Sequence, residues 1–296
     1  MKHIAIIGTG IMGTGMGMTL IKEGYTVTCW NRTEANAQRL KEAGATYKST
    51  PAEASAGADA VIMMMWNKEA LDAVLLGENG LFNNAEKDQI FIDMSTQLPE
   101  TGVWEANEFA KRGAEFIDAP VHGTKGEAND GGLWIIAGGK RDIYDKIDPI
   151  LSCVGESHHY MGTHGKGFAS KLCGNHLVST IVAALCESMV LAAKADIDPE
   201  EILKVWMESD FRSPVVDGVG HSIINRDFDV SFHLRTMVKD TELIRNFSET
   251  VEVPVLIANT VHEINKIGLN MGLGEENASA VVKVFEHMAG CKVEKR

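Results

Sequence analysis

Two things are missing from this 296-residue chain that would otherwise open whole classes of function: an excess of positive charge and a pairable set of cysteines. Its 28 basic residues stand against 41 acidic ones, for a formal charge of -13. Charge of that sign opposes attraction to nucleic-acid phosphates and to anionic membrane surfaces, so neither is expected as a partner. The five cysteines, Cys29, Cys153, Cys173, Cys186 and Cys291, are odd in number and widely spaced, and no Cys-x-x-Cys occurs. That usage fits a reducing cytoplasm better than a disulfide framework. Met1-Lys2-His3 also leads straight into an apolar strand pattern with no cleavage site, and the chain reads as cytoplasmic. No closely spaced histidine and cysteine ligand set accompanies His158-His159, so no metal is expected. Short repeats, low-complexity tracts and a flexible Pro/Ser linker are absent too. The longest apolar stretch, residues 177–193, is broken by Ser179, Thr180, Glu187 and Ser188, and reads as a buried helix instead of a bilayer span.

A hydrophobic content of 45% over this length is enough for two domains, each with its own core. In the first half, short apolar runs at 4–7, 26–30, 60–65, 90–93 and 115–117 alternate with helical spacing at 13–23, 34–43 and 69–76. Such alternation predicts an α/β domain with a parallel, doubly wound sheet, which 133–137 and 157–161 extend. The pattern then changes. Residues 168–193 carry near-continuous helical periodicity, and 199–208, 234–249, 254–267 and 277–288 add helices with almost no strand alternation.

Gly8-Thr9-Gly10-Ile11-Met12-Gly13 follows the first strand and opens the first helix. In that context Gly-x-Gly-x-x-Gly is a dinucleotide-binding signature: a tight turn, a close backbone approach to pyrophosphate, and close helix packing. Exposed amides at the helix start hold the anion. The expected architecture is therefore an N-terminal Rossmann domain over 1–163, with a long interdomain helix and an all-helical domain over 164–296. After the second strand, where NAD-specific proteins commonly carry an acid, the chain reads Asn31-Arg32-Thr33. One guanidinium and two neutral hydrogen-bonding groups suit a 2′-phosphate, so NADP(H) is expected, with NAD(H) still usable. Thr33 reads equally as a cap for the next helix.

Three more segments point to chemistry: Asp118-Ala119-Pro120-Val121-His122-Gly123-Thr124, residues 165–175 containing Lys171 and Asn175, and Lys239-Asp240. With the glycine loop and Asp93-Met94-Ser95-Thr96, they make the sequence resemble the β-hydroxyacid dehydrogenase family along essentially the whole chain, with every motif in family order. The resemblance implies that Lys171 is the catalytic acid/base and that Asn175 positions substrate. It also implies that His122, Gly123 and Thr124 line the substrate loop, and that Met65, Thr96 and Lys239 contact cofactor or substrate. Without it, Met65 reads as core, Thr96 as a turn residue and Lys239 as half of a surface pair. Lys171 and Asn175 are four apart and share a helix face, and an ammonium there can stabilise and protonate a developing alkoxide.

The resemblance has gaps. Relatives commonly carry serine and glycine where this chain has His122 and Thr124, and asparagine where it has Gly174. His122 reads as an anion ligand, as a contact for an unusual substrate, or as a space-filler. Trp66 stands where a proline is common, and Arg212, in the Phe211-Arg212-Ser213 loop, reads as an acid-group ligand or an exposed charge. A small anionic carbonyl or hydroxy acid is the expected substrate, and a homodimer or homotetramer the expected assembly. An imine reductase and a non-enzymatic NADP-binding protein are the competing readings; Lys171 counts against the first, and the substrate loop against the second.

Overall fold

The computed structural model describes residues 1–295 and divides into two compact units, Met1–Lys171 and the residues from Leu172 on. The first unit is built on β1 (His3–Ile7), β2 (Thr26–Trp30), β3 (Thr46–Tyr47), β4 (Ala60–Met63), β5 (Ile90–Asp93), β6 (Glu115–Asp118), β7 (Val121–His122), β8 (Leu133–Gly139) and β9 (Gly155–Gly162). They form one sheet in the order β3-β2-β1-β4-β5-β6-β8-β7, with β9 against β8. Continuous apolar runs make these strands because both faces are covered. In β1, Ile4 and Ile6 join one core with Met16, Leu20 and Leu40, while Ala5 and Ile7 join the other with Phe82, Phe91 and Phe109.

From β1 to β6 all pairings are parallel, as expected. The extension is not: β8 runs antiparallel to both β6 and β7, and β9 then pairs parallel with β8. A parallel return needs a crossover of a dozen or more residues. Between His122 and Leu133 the chain carries only the six-residue helix Lys125–Asp130, and it doubles back. The sheet order reverses at β1 and β4, and at such a switch point the carboxyl ends of strands leave a crevice for a ligand.

The second unit is helical: the remainder of the long helix Lys166–Lys194, then Pro199–Glu208, Pro214–Asn225, Leu234–Thr250, Leu256–Asn270 and Val282–Ala289. Its core takes Val182, Leu185, Cys186 and Met189 from the long helix, at the spacing that lines one face. By length and composition this helix passes as a membrane span, with mean hydropathy 1.7 in its most apolar window, of which 44% is buried within the protein. The helix Pro214–Asn225 was not expected. Gly218 and Gly220 weaken its pattern, but Gly220 is what lets it pack, because a Cβ there would lie 2.6 Å from Leu203 Cδ1.

Candidate active site

At the end of β1 the chain turns through Gly8, whose φ of +99° and whose position 2.3 Å, measured from a notional Cβ, from the Met64 carbonyl oxygen exclude any side chain. Gly13 is as tight, since a Cβ would come within 2.0 Å of the Gly8 oxygen. Gly10 differs, with nothing within 4 Å of a notional Cβ. The two outer glycines pack, and the middle one leaves the loop open. A cavity of about 330 Å³ opens there on Thr9, Gly10 and Ile11, with Asn36, Arg39 and Lys125 around it. Met12 turns its side chain to the core.

Asn31 Oδ1 accepts the Thr9 N–H at 3.0 Å and its Nδ2 donates one hydrogen to the Thr33 carbonyl at 2.9 Å, so the amide shapes the loop. Thr33 stands at the cap position of Glu34–Ala37 without a side-chain cap bond, and both it and Arg32 are exposed. After β4 the Met65 N–H donates to Ser95 Oγ at 2.8 Å, and half-buried Thr96 follows directly.

Lys171 is 8% exposed. Its Nζ lies 3.2 Å from His122 Nδ1. Asp118 fixes the start of the helix that carries the lysine: Oδ1 accepts the Gly165 N–H at 2.8 Å and Oδ2 the Phe168 N–H at 3.0 Å. Its carboxyl is buried, and burial pushes its pKa up to about 7 against the pull of those amides. Burial, and then the Lys171 charge, push His122 the other way, down to about 4, so its ring is neutral. Gly123 needs its left-handed φ of +117°, and a Cβ there would lie 2.9 Å from Leu133 Cδ2. Thr124 is engaged locally. Its N–H and hydroxyl both donate to Glu127, at 2.7 and 2.9 Å, which makes it the cap of Lys125–Asp130.

In the second unit, Asn175 follows Lys171 by four residues on the same helix, and its Nδ2 donates to Asp240 Oδ2 at 2.8 Å. Lys239 pairs with Asp240 Oδ1 at 2.8 Å. Buried Asp240 therefore holds both groups assigned from the sequence to substrate and cofactor. Ser213 caps Pro214–Asn225 through the Val216 N–H, and Arg212 beside it is exposed.

Residues 3–162 match the family model described as the NAD binding domain of 6-phosphogluconate dehydrogenase. Residues 165–285 match the NAD-binding model of NADP-dependent 3-hydroxyisobutyrate dehydrogenase. The chain belongs to the β-hydroxyacid dehydrogenase family. It is similar to the chloroplastic glyoxylate/succinic semialdehyde reductase 2 of Arabidopsis thaliana, at 32% identity over 96% of this chain and 79% of that one. Likeness to 2-(hydroxymethyl)glutarate dehydrogenase of Eubacterium barkeri is 31% over 98% and 97% of the two chains. A solved 3-hydroxyisobutyrate dehydrogenase from Salmonella typhimurium shares the fold at a TM-score of 0.88, with 23% identity over 96% of this chain and all of that one. As a member of this family the protein is an NAD(P)-dependent oxidoreductase.

The glycine loop fits a dinucleotide, on the open approach at Gly10 and the cavity beside it. Arg39, Asn36 and Lys125 were missed by sequence reasoning. Arg39 lies within a helical pattern that reads as a solvated face. Lys125 reaches the loop because the glycine-loop helix packs through Gly15 on the helix Lys125–Asp130, where a Cβ would meet the Ala128 carbonyl carbon at 2.7 Å. Spacing 110 residues apart carries no sign of such an approach.

Proposed function

We propose that the protein interconverts a small hydroxy acid and its semialdehyde, using NADP(H) in preference to NAD(H), with Lys171 as proton donor and acceptor. The observation that carries this reading is a nearly buried lysine hydrogen-bonded to the substrate-loop histidine. A nicotinamide held at the glycine loop would supply hydride to the carbonyl carbon in reduction and take it from the carbinol carbon in oxidation. As negative charge grows on the carbonyl oxygen, the Lys171 ammonium stabilises it and gives up a proton; in oxidation the neutral amine takes the hydroxyl proton. Asn175, held by Asp240, orients the substrate oxygen.

The preference for NADP(H) is supported by the absence of a carboxylate at residues 31–33 directly after β2, by exposed Arg32, and by Arg39 and Lys125 at the cavity. Gly8, Gly10, Ile11, Met12 and Gly13 would hold the pyrophosphate with backbone amides. Met65, Thr96 and Lys239 are assigned to the nicotinamide end. Large exposed side chains on the helical unit, such as Leu256 at 78%, support a homo-oligomer.

Two variants test the reading against a panel of glyoxylate, succinic, methylmalonate and tartronate semialdehydes and a sulfonated aldehyde. Lys171→Ala is expected to lower kcat at least 100-fold with cofactor affinity kept. Arg32→Ala with Arg39→Ala is expected to weaken NADPH about 10-fold or more while NADH changes little. Normal turnover in the first, or equal losses in the second, would overturn the respective assignment.

A further inference from the structure

His122 occupies a place where the family resemblance leads one to expect serine, and its geometry gives it more to do than fill space. An ammonium has three donors and no acceptor, so against Lys171 at 3.2 Å the ring must present the Nδ1 lone pair. In a neutral imidazole that puts the proton on Nε2. The ring's root is held by the β7 to β8 pairing, His122 opposite Trp134, and by the left-handed turn at Gly123. Burial and the Lys171 charge both oppose a second proton on the ring. No protein acceptor meets Nε2–H among the described residues.

We propose that His122 works on two sides: Nδ1 holds the Lys171 ammonium in position for proton transfer, and Nε2–H donates to the oxyanion group of the substrate. It is thus a positioning residue for Lys171 and a specificity residue for the acid group. A serine hydroxyl is too short to do both, so this chain selects substrates whose anion sits at imidazole reach from the reacting carbonyl. The proposal rests on Lys171 being the proton donor.

The tautomer is tested on the intact protein by 15N NMR of histidine-labelled samples, with His122→Asn identifying the signal. A protonated Nε2 and bare Nδ1 are expected, with Lys171→Met raising the ring's titration. A proton on Nδ1, or a signal indifferent to Lys171→Met, overturns the proposal. Kinetics separates the two sides, because an asparagine oxygen stands in for Nδ1 and a glutamine nitrogen for Nε2. His122→Ala is expected to lower kcat and raise KM for the semialdehyde roughly 10-fold each, as for loss of hydrogen bonds to charged groups. His122→Asn should restore kcat alone, and His122→Gln should restore KM alone. Asn and Gln variants that both match Ala would overturn it. Full turnover by Lys171→Met instead sinks the functional reading, and the NMR result then decides the hydrogen bond separately.

Discussion

Glu105 lies fully buried near Asp93 and Asp118 at the ends of β5 and β6, on the helix Pro99–Ala110. Burial first, then the charges of Asp93 and Asp118, hold its carboxyl well above the ordinary range, with Lys68 opposing weakly. The folded state therefore keeps this proton to higher pH than the unfolded chain does. Stability from that difference is full below the unfolded pKa of about 4.3 and is lost as pH rises toward the folded value. Glu105→Gln cannot ionise and removes the slope. Its melting temperature relative to wild type should climb between pH 5 and pH 8, at roughly 2–4 °C for each kcal/mol. A difference that stays flat with pH would show that Glu105 is ionised in the folded protein. None of this was legible in the sequence, where a glutamate in a helical run reads as a solvated face. Asn31 and Thr124 escaped for a related reason: residue type announced polar groups, but only the fold shows them turned on Thr9, Thr33 and Glu127.

The long helix Lys166–Lys194 depends at its start on one side chain. Asp118 receives the Gly165 and Phe168 amides, and Gly138 and Gly167 are glycines partly because a Cβ at either would crowd its Oδ2, at 2.9 and 2.8 Å. Lys171 comes one turn later, so the carboxylate sets the lysine's frame. Asp118→Asn replaces one acceptor with a donor facing an amide. A loss of about 1–3 kcal/mol is expected, with kcat down about tenfold and NADPH affinity kept, checked by denaturation and by titration of cofactor fluorescence. Unchanged kcat at lowered stability would leave Asp118 a purely structural cap. Elements were the most readable level of this protein, because a strand covered on both faces writes a continuous apolar run, as 4–7 and 90–92 do. β3 and β7 were invisible at two residues each, having no length over which to show a period. The order of motifs carried the site further than spacing did, since Lys171 and Asn175 are unremarkable until the substrate loop stands beside them.

At the scale of the molecule, charge and apolar surface pull in opposite directions. Each copy carries -13, which repels another copy. Yet the helical unit exposes Leu191 at 70%, Leu256 at 78% and Ile257 at 57%. Covering apolar surface yields about 25 cal/mol per Å², while repulsion between dispersed surface charges is screened beyond a Debye length, about 10 Å at 0.1 M salt. The apolar term is expected to win at moderate ionic strength and to give a homodimer or homotetramer. Light scattering on a sizing column should return at least twice 32.2 kDa. Association should tighten as salt rises from 0.05 to 0.5 M, the reverse of an interface built on ion pairs. Leu256→Asp with Ile257→Asp adds charge where apolar contact is needed, and should shift the mass toward one chain. A wild-type protein that elutes as a single chain at all salt concentrations would mean that these side chains face water, and that charge decides the state of the molecule.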